Sequence, residues 1–170
     1  MFDSAVTNIN KIAPRKYYGA DAQLKIKNKV GFTELRAEFI TGKQTASSAS
    51  SETPGTSFTG NEGYYIRKFN GAYFYFLQNL GNIRHQIGVK YDWYDANTDV
   101  KGDEIGKPGT TINAANIKYS TLGFGYIYYI TPNIKLVLWY DKITNEKTQL
   151  AGYTSDVKDN IFTCRLQFRF

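Results

Sequence analysis

One cysteine, one histidine and four prolines in 170 residues exclude several kinds of protein at the outset. Cys164 has no partner for an internal disulfide and stands outside any metal-ligand spacing. With His85 as the lone imidazole, no Ser–His pair with an orienting third group can be assembled, so no catalytic residue is expected. The run Asp95-Ala-Asn97-Thr-Asp99 starts like a calcium loop. Val100 then stands where glycine is required and Gly106 where a bidentate Glu is required, so neither a metal nor a cofactor is implied. Long apolar runs are also missing. The longest, residues 122–130, falls well short of the ~18 residues a membrane-crossing helix needs. The first residues, MFDSAVTNINK, lack the basic and apolar regions of a signal peptide.

Charge of one sign is not clustered either. Lys and Arg number 21 against 15 Asp and Glu, a net charge of +6, but the cations are scattered singly. A nucleic-acid binder would gather them into a patch or stripe, so no nucleic-acid partner is expected.

Aromatics are plentiful: 14 Tyr, 11 Phe and 2 Trp. Tyr joins an apolar ring to a polar tip and suits surfaces greasy at one end and wet at the other. The aromatics and aliphatics recur with period two, the mark of β-strands with unlike faces. Seven such strands are expected, near residues 16–27, 32–41, 64–79, 84–95, 115–130, 134–144 and 160–170. Leu24, Ile26, Leu35, Phe39, Val89, Tyr91, Leu136, Leu138, Leu166 and Phe168 fall on one phase. Gln23, Lys25, Arg36, Lys90, Lys135, Arg165 and Gln167 fall on the other. The third strand carries aromatics on both phases, which leaves its orientation open.

The connections alternate short and long: 28–31, then the polar stretch 42–60, then Gly81-Asn82, then 96–114, then Thr131-Pro-Asn133, then a medium loop to about residue 155. Short turns at one end and long loops at the other are the habit of an outer-membrane β-barrel, whose ~9–11-residue strands cross the bilayer at a tilt. A mean hydropathy of −0.44 agrees with strands that show half their residues to a polar interior. The last strand ends on Phe170, with Phe168 and Leu166 in phase. Such an ending resembles the signal by which outer-membrane barrels are recognised by their assembly machinery. Trp93 and Tyr94 fit an interfacial aromatic girdle better than a sugar platform.

Several segments carry a family resemblance. Residues 17–21 (YYGAD), 35–42 (LRAEFITG), 90–98 (KYDWYDANT), 118–125 (KYSTLGFG) and 159–170 (DNIFTCRLQFRF) resemble the phosphate-selective porin O and P family, in the style of its Bacteroidetes members. The likeness covers residues 16–170, and KYDWYD is its most specific part. It implies a 16-stranded barrel in the bacterial outer membrane, trimeric at full length, that passes small anionic solutes by diffusion.

The chain is therefore expected to be all-β: about seven C-terminal strands of an antiparallel up-and-down transmembrane barrel over residues 16–170. Residues 1–15 would be an extension or a loop remnant. Membrane lipid and small anionic solutes are the expected partners. Lys25, Lys27, Arg36, Lys90, Lys135, Arg165 and Arg169 are the candidate pore-lining residues, and Leu166, Phe168 and Phe170 the candidate assembly signal. Acidic residues share the polar phase (Asp21, Glu34, Glu38 and Asp92), so the pattern supports a porin more than a preference for phosphate. A non-channel barrel serving as an adhesin or structural protein, and a soluble carbohydrate-binding sandwich, are the competing readings. Seven strands would form an open half-pipe with the first and last at its edges. The alternative is a small closed barrel in which residues 2–9 supply an eighth strand.

Overall fold

A computed structural model of the chain describes residues 12–47, 50 and 65–170. The period-two segments become seven strands: β1 (Lys16–Asn28), β2 (Gly31–Ala46), β3 (Tyr65–Leu80), β4 (Asn82–Asp95), β5 (Tyr119–Thr131), β6 (Ile134–Asn145) and β7 (Ile161–Phe168). They form one antiparallel sheet in the order of the sequence, with β1 and β7 at its two edges. Each strand pairs only with its sequential neighbours. The expected open up-and-down sheet is thus present. The segment 2–9, considered for an eighth strand, lies outside the described residues, as does most of the stretch 42–60.

Register decides the faces, because residues directly opposite in an antiparallel pair share a side. One continuous row runs Leu24, Leu35, Phe76, Val89, Phe124, Tyr140, Phe162 across all seven strands. The row beside it runs Gln23, Arg36, Tyr75, Lys90, Gly123, Asp141, Ile161. The apolar and polar phases expected from sequence therefore lie on opposite faces throughout. The third strand is resolved too: Phe74 and Phe76 join the apolar face, while Tyr73, Tyr75 and Leu77 join the polar one.

The sheet is curled. Lys25 of β1 and Arg165 of β7 line the same recess on the polar face. Six inter-strand steps of ~4.8 Å would separate these strands by ~29 Å in a flat sheet. The polar face is consequently concave and the apolar face convex.

Several strand boundaries differ from expectation, most of all at β2, β5 and β7. The break expected at Gly42 is strand, since β2 continues to Ala46 against the start of β3, pairing Lys43 with Lys68 and Ala46 with Tyr65. Gly42 marks a close approach of chains instead, as a Cβ there would lie 2.1 Å from the Lys16 carbonyl oxygen. β5 begins at Tyr119 rather than 115 because Ala114–Asn116 forms a 3-10 turn, capped by the Asn113 side chain accepting from the Ala115 amide at 3.0 Å. β7 ends at Phe168, so Arg169 and Phe170 lie past the strand; the Arg169 amide still donates to the Asn133 carbonyl at 2.8 Å.

The turns at one end are tight. Gly31 at φ 131° and Gly81 at φ 70° take conformations that glycine alone adopts cheaply. At the other end the connections 96–118 and 146–160 fold against each other. Gln149 donates its amide to the Ile105 carbonyl at 2.9 Å and its side chain to the Asp103 carbonyl at 2.7 Å, over fully buried Ile105 and Ile117.

Candidate functional site

The concave face gathers most of the charged strand residues, with Lys16, Lys43, Lys68, Asp95 and Lys142 on the convex side, and the concave charges are graded along the sheet. Nearest the tight turns lies a recess of about 600 Å³ whose lining includes four cations, Lys25, Arg36, Lys135 and Arg165, against the single carboxylate of Glu34. Glu34 is almost fully buried and held by the Arg36 guanidinium at 2.7 Å and by the Gln23 side-chain amide. Lys25 sits over the Phe32 ring, 4.4 Å from its centroid, and Lys135 lies 5.8 Å from that of Tyr129. These cation–π contacts orient the ammonium groups without neutralising them. Arg165 has no ionic partner among the described residues. The recess is therefore net positive.

Further toward the long loops the balance reverses. Asp21, Glu38 and Asp92 share one row with Tyr73. Lys90, in the adjoining row, reaches Asp92 at 2.9 Å and Asp141 at 3.2 Å. One cation between two carboxylates leaves this cluster negative, so Lys90 is not the free positive charge that its sequence position suggested. Asp141 also accepts from the Trp139 indole N–H at 2.9 Å.

Of the seven pore-lining candidates, Lys25, Arg36, Lys135 and Arg165 meet in the basic recess, and Lys90 lies on the same face in a second recess of about 520 Å³. Lys27 shares the face by register but stands at the turn end of β1. Arg169 lies past β7 against Pro132 and Asn133, at the rim rather than on the wall. Of the assembly-signal residues, Leu166 and Phe168 point outward on β7, and Phe170 lies beyond the strand, wholly exposed. Cys164 shares their outward phase. His85 faces outward too, hydrogen-bonded to the Tyr126 hydroxyl at 2.5 Å and stacked on Tyr128 with centroids 5.1 Å apart. In the acidic run after β4, the carboxylate of Asp95 accepts from the Asn97 amide at 3.1 Å, and Asp99 pairs with Lys68 at 2.9 Å. Among the described residues no cluster of His, Cys, Asp and Glu could hold a metal ion.

Two features escaped the sequence reading. Trp139 was legible as an inward residue, but its bed was not. The indole lies across three glycines of β4 and β5: an added Cβ would meet it at 1.8 Å from Gly125, 2.7 Å from Gly123 and 2.9 Å from Gly88. Gly123 and Gly125, in phase on a strand beside Trp139, were the available signal. The second feature is Arg67, buried at the loop end of β3. It donates to the Asn116 side chain at 3.1 Å and to the Ser47 and Ser50 carbonyls at 3.0 Å, tying two long connections together.

Comparison with protein-family models, with curated proteins and with solved structures finds no match to this chain.

Proposed function

We propose that this sheet is part of the wall of a bacterial outer-membrane β-barrel porin, a passive diffusion channel for small hydrophilic solutes with a basic, anion-favouring stretch near its tight-turn end. The observation that carries the reading is the division of one curled sheet into an exposed apolar convex face and an ionisable concave face. Leu24, Phe39, Phe74, Phe124, Leu166 and Phe168 are each more than two-fifths exposed. An exposed apolar surface of this kind is a liability in water and the normal exterior of a barrel in lipid.

Dimensions support the same reading. On β4 the convex residues between His85 and Asp95 are Ile87, Val89, Tyr91 and Trp93. Ten residues rise ~33 Å along a strand, which at a tilt near ~45° gives roughly the ~25 Å apolar band of such barrels. Amphipathic rings sit near both limits of the band: Tyr18 and Trp93 toward the loops, Tyr126 and Tyr128 toward the turns. The resemblance to phosphate-selective porins supports an anionic solute, and four cations against one carboxylate in the turn-side recess agree with it.

The test is electrical. The protein reconstituted in a planar bilayer should give discrete conductance steps, and a salt gradient should give a reversal potential on the anion side. A protein that inserts but never conducts would defeat the channel reading and favour a non-channel barrel working through its interlocked loops.

A further inference from the structure

Three half-exposed rings line up along the concave face, Tyr75 and Trp139 sharing the recess of the four cations. Tyr73 and Tyr75 stand edge to face with centroids 5.6 Å apart, and Tyr75 lies 6.1 Å from Trp139. Tyr75 lines both recesses, so the rings run from the acidic loop-side hollow into the turn-side one. Trp139 is the best defined of the three. The glycines beneath it let the indole lie against the sheet, Asp141 holds its N–H, and its remaining face looks into the hollow. A side chain laid down and pinned in this way is a preformed platform.

Around the rings stand groups that take part in many hydrogen bonds: Glu38, Asp92 and Asp141 as acceptors, Arg36 and Lys90 as donors. Flat apolar faces bordered by fixed charged donors and acceptors suit one solute chemistry well. A pyranose presents C–H groups, positively polarised, to the negative face of an aromatic ring, and directs its hydroxyls outward to carboxylates and ammonium groups. A small inorganic anion has no use for the rings, and the carboxylates repel it.

We propose that Tyr73, Tyr75 and Trp139 form a stacking track for linear pyranose oligosaccharides, with Asp92, Asp141 and Lys90 engaging their hydroxyls. The track rests on the channel reading and adds a solute class to it: neutral sugars pass along an aromatic line that runs from the loop-side hollow into the basic recess.

Maltohexaose is the probe, added to the conducting protein in a planar bilayer, with a polyethylene glycol of similar size as control. The track requires concentration-dependent interruptions of the current by the sugar that the polymer does not reproduce. Trp139→Leu and Tyr75→Leu should each weaken this block at least tenfold, and Trp139→Phe, which keeps a ring, should restore part of it. Far-UV circular dichroism shows which variants fold. Equal block by sugar and polymer, or equal block in the folded leucine variants, overturns the proposal. A second readout separates this proposal from the channel itself. In a Trp93→Phe background, Trp139 is the sole tryptophan, and maltohexaose should shift its emission in detergent. Absence of conductance with such a shift would defeat the channel but keep the sugar site; conductance with neither block nor shift would do the reverse.

Discussion

Gly125 shows how much of this wall is decided by single atoms. Its missing Cβ is the space that the Trp139 ring occupies, and a methyl group 1.8 Å from Cε3 cannot be absorbed by a small rotation. Gly125→Ala should therefore lift the indole off the sheet and break its bond to Asp141, at a cost of about 1–3 kcal/mol from overpacking. A red-shifted tryptophan emission together with a lower unfolding midpoint would check it. Unchanged values would mean the ring has no fixed bed. The convex face answers to different physics. Leu138 projects outward between Tyr126 and Cys164. On the proposed placement in a bilayer, Leu138→Arg should cost ~2–4 kcal/mol near the midplane. The inward-facing Thr163→Arg should stay within about 0.5 kcal/mol. Denaturant titrations in lipid vesicles compare the two, and equal penalties would mean that the faces do not differ in environment. Which face a residue occupies was legible from sequence because period two fixes it. What the residue touches was not, because Trp139 meets glycines on two other strands and only the register brings them together.

At the level of elements, the sequence announced all seven strands and the order in which they pair. It misplaced the ends where polarity misled: Gly42 and its polar neighbours read as loop, yet β2 continues through them because β3 offers a matching ladder. A polar residue at a strand end signals the edge of the apolar band, not the end of pairing. The long connections were legible only as polar. Their interlocking depends on buried Ile105 and Ile117, which carry no periodicity, and on Arg67, which looks like any other strand cation. Removing that guanidinium would take one charged donor away from three acceptors in the connections, a loss of about 1–3 kcal/mol for a buried, charge-assisted set. Arg67→Leu should thus speed amide exchange in residues 97–118 while the β3–β4 ladder keeps its protection. Hydrogen-exchange mass spectrometry distinguishes this from general loosening, in which β3 and β4 would lose protection as well.

Across the whole molecule, charge and closure constrain what the sheet can be. Lys90 stands between two carboxylates, so its removal does more than subtract one cation from the wall. Lys90→Gln leaves the charges of Asp92 and Asp141 uncompensated on the concave face and should shift the reversal potential toward cations. Lys27→Gln, at the exposed turn end of β1, should shift it less, since distance and salt screen that charge. Equal shifts would mean that neither position governs selectivity. Closure is the stricter demand. Each edge of the sheet carries alternate amides and carbonyls that no neighbour within β1–β7 can satisfy. In lipid each unsatisfied group costs several kcal/mol, so open edges do not persist there. Single-chain bacterial barrels also close with an even number of strands, and this sheet has seven. On the channel reading, further strands must therefore flank both β1 and β7 in the membrane, whether from the same polypeptide or from another copy. Hydrogen exchange on the protein held in lipid nanodiscs tests this at the edges themselves. The β7 amides that point away from β6, and the β1 amides that point away from β2, should be as protected as those of β4. If these amides exchange freely while β4 stays protected, the sheet ends in water at both edges, and a transmembrane wall is no longer tenable.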